Sequence, residues 1–423
     1  MNKILEATEQ SLFTKALCLS DPWEVISVEF DPDQGRIDFE LGFRRGSKFA
    51  CCDCGADAQP IHDTRRRTWR HLNFFQYQAY LHASVPRTVC ADCGKVKQVL
   101  LPWARPGSHF TLLFESFSLA LCKKLPVNTA AQELAIGDDP LWRILHHYVN
   151  QARAKEDFNQ VRQVGIDETA ARRGHNYVTF VHDLKNRRLL YGCEGRNQAT
   201  VESFAKDLKA HAGDPAQITD ASIDMSKAYI AGVSKHLPNA QVTFDRFHII
   251  QLANQAMDEV RRQETKDEPL LRRTRWLWLK DKSKWTTPQA TLFKSLPNAR
   301  LKTTRAWRLK ESLRELFQSA TNSEEAGILL NSWHSWARRS RLEPFKQLAN
   351  TLKNHRPGIL KGFDSMLSNG YVEGFNSLVQ AAKAKARGYR KSKNMITIAY
   401  LLGAKLAHLP ASPFATRCTV QLV

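Results

Sequence analysis

A chain of 423 residues, 43% of them hydrophobic and 25% charged, is too long for one ordinary core and too apolar to stay disordered, so several folded domains are expected. The 62 Lys and Arg against 42 Asp and Glu leave a net charge of +20, a field that concentrates polyanions. No run approaches the roughly 18 to 20 apolar residues of a membrane span, and Glu6 and Glu9 interrupt the stretch where a secretion signal needs an apolar core. Nucleic acid is thus the expected partner, with no membrane contact and a cytoplasmic, nucleoid-associated location.

In chain order, "EVISVEFDPDQGRIDFELGF" alternates apolar and polar residues on both sides of "DPDQG" and reads as a hairpin opening a small β unit. Cys51 and Cys54, then Cys90 and Cys93, form two CxxC pairs, each followed by glycine. Four thiolates so spaced complete a closed tetrahedral shell, so a structural Zn²⁺ is expected, against the alternative of two redox-active or unpaired pairs. The other cysteines (Cys18, Cys52, Cys122, Cys193, Cys418) are scattered. Between the knuckles, Arg65, Arg66, Arg67 and Arg70 interleave with Trp69 and Phe74, either a DNA-contacting edge or a solvated basic loop.

The next stretch, "LLFESFSLALCKKLPVNTAAQELAIGDDPLWRILHHYVNQAR", has helical periodicity broken at "KKLPVN" and "IGDDP". It reads as a longer helix and then a helix-turn-helix with "DPLWRILHHYV" second, or as a plain helical linker. From 161 the pattern becomes three strands, a helix, a strand, a helix and a strand, an α/β order. Residues 249 to 365 then show only helical spacing, an all-helical insertion. Its Trp276, Trp278, Trp285, Trp307, Trp333 and Trp336 suit either a bundle core or stacking on an unpaired base, with Arg272, Arg273, Arg338 and Arg339 on the backbone. After the break "SNG" come one long helix, 371 to about 387, and a basic tail.

Asp167 and Asp224 each end an apolar strand, where paired carboxylates can hold divalent cations for phosphodiester cleavage. Glu373 supplies a third acid. On its helix Val372, Phe375, Val379 and Ala382 form an apolar stripe beside a polar one of Glu373, Asn376, Gln380, Lys383 and Arg387. Glu168 is expected on the opposite strand face from Asp167, and His182 and Asp183 either line the site or make a turn.

The two knuckles, "GIDETAARRGHNYVTFVHDL", "IDMSKAYI", "LPNAQVTFDRFHII" and "YVEGFNSLVQAAKAKARGYR" together resemble the ISL3 family of bacterial insertion-sequence transposases over nearly the whole chain. The resemblance implies a multidomain α/β protein: an N-terminal zinc ribbon, a helix-turn-helix, and a ribonuclease-H-like mixed-sheet core interrupted by an all-helical insertion. The expected bounds are 1–100 for the β unit with the ribbon, 101–158 for the helix-turn-helix, 159–250 for the first part of the core, 251–367 for the insertion, and 368–423 for the last helix and tail. It further implies metal-dependent strand cleavage and transfer at terminal inverted repeats, with Asp167, Asp224 and Glu373 as catalytic acids binding two Mg²⁺ (or Mn²⁺). Asp245 also ends an apolar strand and competes with Asp224 for the middle position. Related transposases with helical insertions carry Cys or Asp, two residues and then His just downstream of the second acid, and "DRFH" has that spacing, so the resemblance implies Asp245 and His248, with Asn376, as supporting groups. Arg65, Arg66, Arg67, Arg70, Lys383 and Arg387 are the expected DNA contacts, the partners are the element's ends and target DNA, and the working form is a homodimer or larger. The alternatives are a DNA-binding regulator with an inactive transposase-derived domain, and a ribonuclease-H-like nuclease of branched or hybrid DNA.

Overall fold

The computed structural model describes residues 2–172, 174, 176–297, 300–365 and 370–414, with side chains from residue 9 onward. Ser368 and Asn369 of the "SNG" break, and Cys418, lie outside the described residues. Two compact units divide the chain: one runs to Tyr148 and includes the segment starting at Leu409, and the other is Val149–His408.

The first unit opens with α1 (Asn2–Ala16), where the sequence suggests only a lead-in. β1 (Trp23–Asp31) and β2 (Arg36–Phe43) form the expected hairpin, with Phe30 opposite Ile37. β3 (Ile61–Arg70), β4 (Gln78–Val89) and β5 (Val96–Gln98) complete a sheet of order β1-β2-β4-β3, β5 pairing with β4. Residues 61 to 70 are therefore a strand and not a basic loop. The inward positions Trp23, Phe39, Leu81, Val85 and Trp103 make its core. Three helices follow, α2 (Leu112–Cys122), α3 (Val127–Glu133) and α4 (Asp138–Arg153). Thr111 caps α2 by accepting the Phe114 N–H, and the α3–α4 turn passes through Ala135 in the left-handed region. The buried carboxylate of Glu115 ties these helices together by accepting from Arg105 Nε (2.9 Å), Ser108 Oγ (2.7 Å) and Tyr148 Oη (2.6 Å).

In the second unit, β6 (Gln163–Arg172), β7 (Asn176–Asp183) and β8 (Arg188–Glu194) form an antiparallel meander. After α5 (Gln198–Ala210), β9 (Asp220–Ile223) lies parallel to β6. After α6 (Lys227–His236), β10 (Gln241–Phe244) lies parallel to β9. The order β10-β9-β6-β7-β8 is the ribonuclease-H-like mixed sheet that the resemblance implies. Ile166, Phe204, Ala221, Ile223 and Tyr229 fill the layer between sheet and helices.

The insertion comprises α7 (Arg246–Glu264), α8 (Arg275–Leu279), α9 (Thr287–Ser295), α10 (Lys302–Ser319), α11 (Ser323–Arg339), α12 (Glu343–Asn354) and α13 (Arg356–Asp364). Its tryptophans divide by position. Trp278, Trp307 and Trp333 are buried in the bundle core and Trp285 packs against it, whereas Trp276 and Trp336 are exposed. Each buried ring contributes on the order of 1.5–3 kcal/mol. α14 (Gly370–Lys385) returns to the sheet with Val372, Phe375 and Val379 inward. The expected basic tail is in large part a further helix, α15 (Ser392–Gly403), whose Met395, Ile398 and Leu401 are buried. Its Tyr400 hydroxyl accepts the Gly192 N–H of β8 at 2.8 Å.

Candidate active site and DNA-binding surfaces

The pairings Gln163↔Asp220 and Gln241↔Asp220 fix the registers of β6 and β10 on β9. Carrying both past their last pairs places Asp167, Asp224 and Asp245 in one row across three adjacent parallel strands, with Asp224 and Asp245 just past the ends of β9 and β10 as expected and Asp167 midway along β6 rather than at its end. Each acid there has a different set of partners. Asp167 is buried; its Oδ1 accepts the Glu168 N–H at 2.9 Å and its Oδ2 accepts Asn376 Nδ2 at 2.7 Å. Asp224 Oδ1 accepts the Ser226 N–H at 3.0 Å, and among the described residues its second oxygen has no hydrogen-bond partner. Asp245 is the N-cap of α7: Oδ1 accepts the Phe247 N–H at 3.0 Å, and Oδ2 lies 3.2 Å from His248 Nδ1.

His248 links the row. Its Nε2 stands 3.8 Å from Asp167 Oδ1. Burial works against its charged form, but the bond to Asp245 and the charges of Asp167, Asp245 and Asp224 outweigh it and push its pKa up to about 9. Burial pushes Asp167 up to about 7, against the opposing charge of His248. Asp224 and Glu373 are also raised, both first by burial, Glu373 further by the Asp245 charge.

α14 positions the rest. With its apolar side packed inward, its polar stripe lies along β6: Asn376 holds Asp167, Gln380 Nε2 donates to Thr169 Oγ1 (2.6 Å), and Lys383 Nζ donates to the Ala170 carbonyl (2.6 Å). Glu373, in the first turn, is half-buried and among the described residues makes no hydrogen bond. The carboxylate oxygens of Asp167, Asp224 and Glu373 do not converge to within 4.8 Å of one another. The donor chemistry nonetheless fits a hard divalent cation. Among the described residues, oxygens of Asp224 and Glu373 and the buried Oδ1 of Asn376 have no hydrogen-bond partner, and a cation would offset the burial that raises the acids.

Glu168 lies, as alternation requires, on the other face of β6 from Asp167; it is half-buried, its Oε2 is buried with no hydrogen-bond partner among the described residues, and burial with the Asp224 charge raises its pKa. His182 and Asp183 do not line the site. His182 is fully buried, and Asp183 accepts from the Lys185 and Asn186 N–H groups in the turn after β7.

In the first unit the four cysteines converge: Sγ of Cys51 and Cys93 are 3.8 Å apart, and of Cys54 and Cys90 3.4 Å. Sulfurs around a tetrahedral Zn²⁺ with bonds of about 2.3 Å stand roughly 3.8 Å apart, so the set fits. The two knuckles repeat one geometry. Gly55 and Gly94, at φ 74° and 67°, return their N–H groups to the carbonyls of Cys51 and Cys90. The backbone N–H groups of Cys54 and Asp53 lower the Cys51 thiol to about 7, readying it as a thiolate ligand.

The expected arginine edge is only partly free. Arg65 is exposed and Arg67 half-exposed on β3, while Arg66 makes a two-point contact with Glu40 at 2.7 and 2.8 Å. Arg70 corrects the expectation. It is buried, its guanidinium bonding the carbonyls of His71 and Ala79 and the Asn73 side chain, so it supports the fold and is not placed to touch DNA. Lys383 is half-buried on the Ala170 carbonyl, and Arg387 is exposed past the end of α14. Sequence reasoning named α4 but not its outer face. Arg143, His147 and Asn150 are exposed there at helical spacing, opposite the buried Leu141, Leu145 and Tyr148; that spacing was the usable signal.

Three family models match the chain: a zinc-finger of transposase IS204/IS1001/IS1096/IS1165 over residues 47–93, a helix-turn-helix domain of transposase family ISL3 over 99–149, and the ISL3 transposase model over 164–399. Among curated proteins the chain is similar to the transposase for insertion sequence element IS1001 of Bordetella parapertussis, at 26% identity over 86% of this chain and 91% of the relative. It is likewise similar to the transposase for insertion sequence element IS1557 of Mycobacterium tuberculosis, at 28% identity over 95% and 97%. The cysteine cluster is thus a structural zinc site in a DNA-binding protein.

Proposed function

We propose, on the premise that the chain belongs to the ISL3 family of transposases, that it binds the terminal inverted repeats of an insertion sequence and uses Asp167, Asp224 and Glu373 to cleave and transfer DNA strands. The observation that supports this most is the division of labour in the carboxylate row. Among the described residues Asp224 and Glu373 keep oxygens without hydrogen-bond partners, while Asp245 has both of its own engaged within α7, in the helix cap and on His248. In this reading Asp167, Asp224 and Glu373 would hold two Mg²⁺ (or Mn²⁺). When bound, the ions supply an activated water or 3′-hydroxyl and stabilisation of the leaving oxygen. The protein's part is orientation: Asn376 and His248 fix Asp167, the Ser226 N–H fixes Asp224, and Gln380 and Lys383 hold α14 on β6 so that Glu373 faces the row.

The end-recognition surface in this reading comprises the zinc ribbon with Arg65 and Arg67, and the α4 face of Arg143, His147 and Asn150. Lys383 on α14 and Arg387 just past its end add to it along the helix that carries Glu373. The segments 1–100, 101–158, 159–250, 251–367 and 368–423 serve as ribbon unit, helix-turn-helix, first part of the core, insertion and closing helices. Two ends must be held together, so the working assembly is at least a dimer on DNA. The test is Asp167→Asn on DNA carrying the cognate ends: metal-dependent nicking is abolished while end binding stays within about twofold of wild type. Wild-type nicking by that variant would overturn the assignment. A regulator with an inactive core would show no nicking even in the wild-type protein.

A further inference from the structure

The helix that begins at the acid row carries polar groups well beyond it. His248, Gln251, Gln255, Asp258 and Arg262 follow one another at intervals of three and four along α7, so the face that starts beside Asp167 continues as one stripe. From Gln251 onward that stripe, with Asn254, Glu259 and Arg261 of the same helix and Arg275 of α8, lines a cleft of about 700 Å³. Asp258 organises its guanidinium groups. It takes two contacts from Arg261, at 2.9 and 2.8 Å, and lies 3.3 Å from Arg275 Nε and 3.7 Å from Arg262 Nε. The lining sets two carboxylates, Asp258 and the exposed Glu259, against three arginines, which leaves it net positive. Arg262 and Arg275 remain 68% and 55% exposed, a disposition suited to an anion such as phosphate. Among the described residues the buried Oδ1 of Asn254 has no hydrogen-bond partner, and the exposed Gln251 and Gln255 add amides that both donate and accept, as base edges require.

Beside the cleft, the run "RRTRW" is pinned from below. Trp278 Nε1 donates to Thr274 Oγ1 at 3.0 Å, and Leu271, Leu277 and Trp278 are buried. The residues between stay outside: Arg272, Arg273 and Arg275 are exposed, Trp276 is 65% exposed, and the Arg275 guanidinium lies 5.3 Å from the Trp276 ring centroid. A solitary exposed tryptophan means little. An indole held in place beside an arginine- and amide-lined cleft supplies what stacking on a base and gripping its phosphate require.

We propose that this cleft holds an unstacked nucleotide of the bound DNA, with Trp276 stacked on its base and Arg262 and Arg275 on its phosphate. The proposal rests on the reading of the chain as a transposase acting at DNA ends, and adds to it a single-strand site on the insertion. At about 1.5 Å per residue, Gln255 and Arg262 lie roughly 10 and 21 Å along α7 from His248. At about 3.4 Å per nucleotide of a DNA strand, that places the site some three to six nucleotides from a phosphate at the acid row.

The test is fluorescence anisotropy of the full-length, zinc-loaded protein at fixed salt, with a labelled 20-nucleotide oligo-dT and a labelled 20-base-pair duplex. Trp276→Ala should weaken binding of the single strand about tenfold and of the duplex less than twofold, while Trp276→Phe retains most of the single-strand affinity. An alanine variant that binds the single strand as wild type does, or loses both probes equally, overturns the site. A wild-type protein that binds neither probe overturns this proposal and the functional reading together. Because no cleavage is needed, loss of nicking in Asp167→Asn bears on that reading alone, and the same Trp276 dependence is expected in its background.

Discussion

Two aspartates compete for the middle acid position, and their hydrogen bonds separate them. Asp245 spends one oxygen on the N–H of Phe247 and the other on His248, whereas Asp224 keeps an oxygen without a protein partner. Each carboxylate oxygen has two lone pairs, and Asp167 also accepts on both of its oxygens, so what sets Asp245 apart is that both of its bonds go to its own helix, α7. Asn at position 245 would still cap α7, since Asn caps as well as Asp, but it would remove a charge that helps hold His248 protonated. Asp245→Asn should therefore slow nicking about 10- to 100-fold, as the loss of a ligand-orienting group does, and Asp224→Asn should reduce it further, to background. Nicking rates of the two variants at saturating Mg²⁺ check this, and the reverse order would exchange their roles.

The packing of α14 on the sheet contains an acid-sensitive contact. His182 of β7 is fully buried against Tyr371 and Phe375, and among the described residues neither ring nitrogen has a hydrogen-bond partner. Burial drops its pKa to about 3, while the unfolded chain keeps a value near 6.5. The unfolded state thus binds the extra proton first. The neutral-His contribution to stability is complete above about pH 6.5 and drains away as pH falls toward 3. At pH 5 that amounts to about 2 kcal/mol, so His182→Phe should flatten the decline in urea-unfolding stability between pH 7 and 5 by about that much. An unchanged decline would rule the residue out. The same element shows what the sequence could and could not convey. The stripe of Val372, Phe375 and Val379 against Glu373, Asn376 and Gln380 was legible because helical spacing alone assigns residues to faces, and the strands from 163 to 244 were legible from their apolar runs. Arg70 and α15 were not. A basic residue reads as solvent-facing until the carbonyls of His71 and Ala79 fold around it, and the apolar run of 395–402 is short and follows a Lys/Arg-rich stretch that gives the whole segment the look of a basic tail.

At the scale of the whole molecule, the division at Tyr148 puts the zinc site and the acid row in different compact units. A Cys₄ zinc site is worth on the order of 10–16 kcal/mol in small peptides that have no other core. The first unit does have one, the sheet core of Trp23, Phe39, Leu81, Val85 and Trp103, so removal of zinc should loosen the knuckles without unfolding everything around them. The sheet and helical bundle of the second unit share no ligand with the zinc. Calorimetry after treatment with a zinc-selective chelator should show one transition moved down by several degrees and a second unmoved, with affinity for cognate ends falling at least tenfold. Four thiolates released together also free Cys51, whose lowered pKa makes it the most reactive of them, so thiol labelling at neutral pH should report the loss first at that residue. Transitions that move together would mean that the zinc ribbon stabilises the catalytic half as well, and that the two units do not unfold independently.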